Sequence, residues 1–470
     1  MSSKTSRGGW ACWMAIALAA PLAAADAEAD VVSRMQREAL AGNAAYRLVE
    51  SLTTEVGPRF AGSAGDRAAA AWAEGKLRAL GFPKVWIEPV TVPRWVRGEA
   101  RGEIVSPFPQ RVELLALGGS VGTAEEGIEA EVLGVENVAA MARLGDEAIA
   151  GRIVFFTERM RRTDDGSGYG DAVGIRSRGA DEAVKRGAVA VLIRSVGTDS
   201  NRLPHTGATR YTEGAPRIPA AALSVPDAEL LERELASGQP VRFRLFLGSR
   251  SEGEAESANV VAEFPGRERP GEIVLLVAHL DSWDVGTGAQ DDGAGVAVVV
   301  EAARLAARHS PGGPRRTIRV VLTANEEFGL SGARAYAAAH AEEVPSHVVA
   351  VEADFGAGRV LTFRTRFARE DAAAADELAV RLAPLGIPSA AGDARGGADL
   401  SRLRPLGVPI VDLSQDGSLY FDIHHTDNDT MDKIDPANLR QVTAAFATLA
   451  EWAANRSERL RSLPPEPATP

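Results

Sequence analysis

From residue 259 onward the chain alternates between short apolar runs and longer stretches whose apolar positions recur every three or four residues. The runs at 259–264, 272–278, 317–323, 347–351 and 409–413 have strand length and are rich in Val, Ile and Leu. The stretches at 296–308, 330–340, 371–385 and 436–455 read as amphipathic helices. Strands alternating with helices predict an α/β fold: a mostly parallel, mixed sheet flanked by helices. Upstream, Leu40, Ala44, Leu48, Val49 and Leu52 recur at helical spacing before a Gly57-Pro58 break. A second helix is expected over 66–80, stopped by Gly81 and Pro83, followed by β-like runs at 84–92 and 111–117.

Residues 125–250 read as a separate inserted, β-rich module. Its strands are expected at 152–157, 188–193 and 241–247, with a helix at 180–186. The polar, Gly-rich stretch 161–174 predicts an exposed loop, and 248–257 a polar linker. On this reading the catalytic domain is split into 26–124 and 251–463, and 464–470 is a Pro-rich tail. Residues 1–25 carry Lys4 and Arg7, an apolar stretch over 10–22 and the small residues Ala23-Ala24-Ala25, the pattern of a signal peptide. The stretch is too short to span a bilayer comfortably. It predicts an exported protein, secreted or periplasmic, with no membrane span after cleavage.

Composition narrows the chemistry. Across 470 residues the hydrophobic class is 45% and charged residues 25%, which excludes a disordered or coiled-coil chain. With 52 Lys+Arg against 64 Asp+Glu and no basic run, nucleic acid and anionic membrane are poor partners. The single cysteine, Cys12, falls in the expected signal, so disulfides, thiol catalysis and cysteine-rich zinc ribbons are excluded. Chemistry must come from carboxylates and the seven histidines.

In open α/β sheets ligands bind beyond the carboxyl ends of the strands. The run 272–278 ends in His279-Leu280-Asp281, 317–323 leads to Asn325-Glu326-Glu327, and 347–351 to Glu352-Ala353-Asp354. Three such ends in succession crowd carboxylates at one rim, where a cation must offset their repulsion. A glycine-rich turn over 286–295 adds Asp291 and Asp292, and a late polar loop adds His424 and His425. Imidazoles and carboxylates without thiolate suit one or two zinc ions in a hydrolytic site, with a carboxylate bridging if there are two.

The segments HLDSWDVGTGAQDDGAG (279–295), NEEFGLSGARAY (325–336), EADFG (352–356) and HHTDNDT (424–430) resemble, in order, the metal motifs of the co-catalytic zinc aminopeptidase superfamily. Similarity extends to 55–67 and 204–225, and is greatest toward the branch holding the plasma glutamate carboxypeptidases. The middle module resembles the protease-associated domain inserted in those enzymes. The resemblance implies two zinc ions per subunit, one held by His279, Asp291 and Asp354, the other by Asp291, Glu327 and His425. It implies Glu326 as general base, and hydrolysis by a zinc-bound hydroxide. Asp281 would orient the His279 imidazole, Asp429 that of His425, and Asp292 would fix the Asp291 backbone. His424, Asp399 and His205 are candidates to touch substrate, with packing, a turn or a loop cap as their alternatives. His309, His340 and His347, at element ends, are expected at the surface.

The activity implied is an exported zinc exopeptidase acting on dipeptides or short unblocked peptides, and a homodimer is implied with it. Alternatives are an aminopeptidase on longer peptides, a single-zinc aminoacyl (glutaminyl) cyclase, and a non-catalytic receptor-like homologue. Side-chain preference is left open.

Overall fold

The computed structural model describes residues 31–466, so the expected signal segment lies outside the described residues. In chain order the strands are β1 (Lys84–Val96), β2 (Ala100–Ser106), β3 (Gln110–Val112), β4 (Leu114–Ala116), β5 (Ile128–Val135), β6 (Ile153–Phe156), β7 (Ala190–Arg194) and β8 (Ala220–Leu223). They continue with β9 (Arg242–Leu247), β10 (Arg250–Phe264), β11 (Arg269–His279), β12 (Arg316–Thr323), β13 (His347–Glu352), β14 (Val360–Arg366) and β15 (Ile410–Gln415). Among the described residues they form two sheets, in the orders β1-β10-β12-β11-β13-β15-β14 and β3-β2-β9-β5-β6-β7-β8-β4.

The first sheet is parallel through β12, β11, β13 and β15, with antiparallel strands at both edges. Successive side chains of a strand point to opposite faces. On β11, Val274, Leu276 and Ala278 join the core under the Ala294–His309 and Pro436–Asn455 helices. Leu275 and Val277 face the other way, onto Val321, Tyr336 and Ile410. The final helix starts where expected because Pro436 occupies its first turn and the Asp435 side chain accepts from Ala437 and Asn438 N–H. Register then sets the rim: His279 pairs with Thr323 and Val277 with Glu352, so the residues following β11, β12 and β13 emerge side by side.

Several expectations change. The polar segment 248–257 is strand rather than linker: β10 begins at Arg250 and pairs with β1, and its own first residues are exposed on both faces, so they carry no apolar alternation. β14 has no strand signature in the sequence because, as an edge strand, it interleaves Arg and Thr with its apolar residues. The boundary drawn at 125 falls inside the second sheet, since β2 and β4 precede it and pair with β9 and β8, and β3 pairs with β2. His347 is fully buried at the start of β13, with Nδ1 3.0 Å from the Glu343 carbonyl and Nε2 3.0 Å from the Tyr336 hydroxyl. His309 and His340 are half-buried and paired to Glu38 and Glu88.

The second sheet stands over the rim of the first. Thr206 N–H donates to the His425 carbonyl at 3.0 Å, and Arg97 reaches the Thr206 hydroxyl at 2.8 Å and Asp284 at 3.0 Å. Trp283 and Val285, just beyond β11, pack into the second sheet's core beside Phe60 and Trp95.

Candidate active site

The turn after β11 is held from below by one side chain. Arg59 is wholly buried, and its guanidinium donates to the carbonyls of Leu280 (2.6 Å), Thr287 (2.8 Å) and Gly288 (2.8 Å). Arg59 lies in the family-like segment 55–67, but its bracing role depends on contacts more than 200 residues away. Asp292 accepts from His279 N–H at 3.1 Å and Gly295 N–H at 3.0 Å, so it fixes the His279 backbone and the start of the following helix. Asp429 accepts from Gln290 and Asp291 N–H at 2.7 and 3.1 Å. It therefore carries the Asp291 backbone, the task expected of Asp292, instead of orienting His425. Asp281 meets the His279 ring through its backbone carbonyl, 3.0 Å from Nδ1, while its carboxylate accepts Glu326 N–H at 2.9 Å. It positions Glu326 as much as His279.

Above this frame the expected ligand residues converge. His279 Nε2 lies 3.2 Å from Asp291 and 3.3 Å from Asp354. His425 Nε2 lies 3.2 Å from the other oxygen of Asp291 and 2.9 Å from Glu327. His424 stacks on His425 with ring centroids 3.5 Å apart, its Nε2 3.7 Å from Asp291. Two groups of metal-ligand atoms result, His279/Asp291/Asp354 and Asp291/His424/His425, with Asp291 common to both. His425 adopts a positive φ of 63°, an uncommon conformation for a non-glycine residue and one that functional sites retain.

The electrostatics of the cluster favour a cation. Burial, then the charges of Asp354, Glu327 and Asp399, pushes the Glu326 carboxyl well above its ordinary value. Burial and Asp291 do the same to Glu327. Burial would lower His279, but Asp354 and Asp291 outweigh it and hold the imidazole well above its usual range. Burial lowers His425, which is flanked by Arg176. Glu327 Oε1 and His424 Nδ1 are buried without a partner. Carboxylates raising one another, with an orphaned ligand-type oxygen among them, are the condition a bound dication relieves, and a His/carboxylate set without thiolate fits zinc.

The site opens into a cavity of about 540 Å³ lined by Asp291, Glu326, Glu327, Asp354, His424 and His425 on one side. Tyr169 and Arg176, from the second sheet's helices, line another side. The segment 161–174 was expected to be an exposed loop. Instead it contains the Ser167–Ala172 helix, and Tyr169 stacks on Phe421 and meets His424 edge-on. Asp399 and His205 do not line this cavity. Asp399 is turned to the Thr323 hydroxyl, and His205 is buried between Asp199 and the His424 carbonyl, 2.6 Å from each, so it ties the two sheets together.

A buried His/carboxylate centre at the carboxyl rim of an α/β sheet, opening into a cavity of this size, defines a metallohydrolase. Comparison narrows the class. Residues 259–450 match the model of "Peptidase family M28". Carboxypeptidase Q of Bos taurus is 36% identical over 424 residues, covering 89% of this chain and 87% of that protein, and the Homo sapiens protein is 36% identical over 422. The crystal structure of a peptidase M28 precursor from Shewanella amazonensis superposes with a TM-score of 0.91 at 46% identity, covering 94% of this chain and all of that one. A zinc aminopeptidase from Bacillus subtilis shares the fold, with a TM-score of 0.64 over 87% of this chain and 94% of that one at 20% identity. The chain belongs to peptidase family M28, and it is a zinc metallopeptidase.

Proposed function

We propose that the protein is an exported dinuclear zinc exopeptidase that hydrolyses dipeptides or short unblocked peptides. The observation that carries this reading is the sharing of Asp291, whose two oxygens face His279 on one side and His425 on the other. His279, Asp291 and Asp354 would hold one zinc; Asp291, Glu327 and His425 the other. Zinc, when bound, supplies Lewis acidity toward the scissile carbonyl and toward water.

The remaining work belongs to the chain. Glu326 lies beside the ligand residues with its backbone pinned by Asp281, placed to take a proton from the attacking water and pass it to the leaving amine. The Asp292 and Asp429 carboxylates hold the backbones of His279 and Asp291, so the site is preorganised before substrate arrives. A cavity of about 540 Å³ lies in the range for small ligands. Export is supported by the pattern of residues 1–25, and none of the described helices is long and apolar enough to cross a membrane.

The test joins metal analysis to turnover. The purified protein should hold two zinc ions per chain, and Glu326→Gln should keep both while losing about a thousandfold or more in kcat on unblocked dipeptides. Retention of wild-type turnover by zinc-loaded Glu326→Gln sinks the mechanism, and one zinc per chain sinks the dinuclear assignment.

A further inference from the structure

The cavity is electrically lopsided. Its rim carries the carboxylates of Asp291, Glu326, Glu327 and Asp354, while Arg176, on the Gly174–Val184 helix of the second sheet's layer, lines it beyond the His425 ring. Arg176 is 7% exposed and makes no ion pair among the described residues. Its Nη1 donates to the Thr206 carbonyl at 3.4 Å, its Nη2 donates to the Tyr169 hydroxyl, and its Nε is buried without a partner. Nη1 also lies 3.4 Å from His425 Nδ1, which is itself 3.3 Å from the Thr206 carbonyl. When Nε2 of His425 serves a metal, Nδ1 carries the ring proton and donates to that carbonyl, so it accepts nothing from Arg176. The guanidinium then has two neutral oxygens as acceptors for five N–H groups. A buried guanidinium without a counter-anion is costly, and such groups are retained where an anion is to be received.

We infer that Arg176, with Tyr169, is the pair of side chains that receives the free α-carboxylate of an unblocked dipeptide substrate. The inference rests on the exopeptidase reading above. Arg176 and the carboxylate cluster lie on opposite edges of the His425 ring, Nδ1 toward Arg176 and Nε2 toward Asp291 and Glu327. Their separation is thus set by one imidazole and its contacts. An extended dipeptide spans about 7 Å and each added residue about 3.5 Å. In a dipeptide one residue separates the scissile carbonyl from the carboxylate, and that short spacing suits the gap, with the carboxylate at Arg176 and the scissile carbonyl at the rim. Tyr169, while accepting from Arg176, keeps its hydroxyl proton to donate to the same carboxylate. The polarity of the cavity matches a zwitterion, amino end to the acidic rim and carboxylate to the cationic wall.

The test uses the zinc-loaded enzyme, an alanyl dipeptide and its carboxyl-terminal amide. It adds calorimetry with the dipeptide whose peptide bond is replaced by CH2–NH, as free acid and as amide. Wild type should favour the free carboxylate by about 10- to 100-fold in kcat/KM and in binding. Arg176→Met should bring both preferences to within about threefold, with zinc content unchanged. Arg176→Lys keeps the charge but not the fork, and should lose about tenfold of the preference; it carries the test if the Met variant does not fold. Equal loss on acid and amide in the variants would make Arg176 a support for His425 and overturn the inference. Equal handling of acid and amide by wild type would overturn it while leaving the exopeptidase reading intact. Cleavage of neither by wild type would end both.

Discussion

At the scale of single residues, burial decides what each polar group does. Asp281, Asp292 and Asp429 were recognisable as carboxylates near the metal motifs, but spacing does not say which backbone N–H each accepts. Asp292 and Asp429 divide the work otherwise than expected: one holds His279 and Gly295, the other Gln290 and Asp291. His347 makes the same point away from the site. Nδ1 must donate to the Glu343 carbonyl, which only accepts, so the neutral ring accepts at Nε2 from the Tyr336 hydroxyl. Burial, then the positive charge of Arg319, lowers its pKa from 6.5 to about 4. A depressed histidine stabilises the fold fully above the unfolded value and loses that contribution as pH falls from 6.5 through about 4. The loss amounts to about 3 kcal/mol at its fullest. His347→Gln supplies a similar donor and acceptor without titrating. Urea unfolding should therefore show the variant gaining on wild type by up to about that amount between pH 7 and pH 4. A gap that stays constant with pH would contradict the neutral, buried assignment.

At the scale of elements, the strands and helices after residue 259 were legible because each is long, buried and periodic. β14 and the first half of β10 were not, since an exposed edge imposes no alternation. The junction between elements is where packing becomes exacting. Gly295, in the first turn of the Ala294–His309 helix, sits against the end of β13, and an added Cβ would collide with the Ala353 carbonyl and the Asp292 carboxylate. Both groups are backbone or pinned, so neither yields cheaply. Gly295→Ala should cost about 1–3 kcal/mol in denaturant unfolding and should weaken zinc retention, because Asp292 also holds His279. Unchanged stability would mean that helix and strand slide apart more freely than their contact suggests.

At the scale of the molecule, two sheets meet at one rim, and the site exists only where they meet. The first sheet brings the carboxylates and His279 together. The second supplies Tyr169, Arg176 and the His205 tie to the His424 carbonyl. Bound metal should therefore stabilise the whole chain, not one loop. A ligand at a hundred times its Kd adds about 2.7 kcal/mol to folding. Chelation should accordingly lower the thermal midpoint of wild type and abolish peptidase activity, with zinc restoring both. Asp291→Asn, which weakens the proposed shared ligand, should show a much smaller drop. A midpoint indifferent to chelator would mean that the carboxylate cluster is balanced from within the protein.

The sequence by itself determined the α/β alternation of the later half, the exclusion of thiol chemistry and the residues proposed as metal ligands. Those signals are local: a period of two or 3.6, or a histidine and carboxylates at the end of an apolar run. The tertiary structure alone decided that Arg59 braces the turn after β11 across 221 residues, and that Arg176 faces His425 across 249. It also turned a stretch expected to be loop into a wall of the cavity. Contacts between distant segments arise when separate elements bury their surfaces together, and no short-range pattern encodes which buried cation will end up beside which histidine.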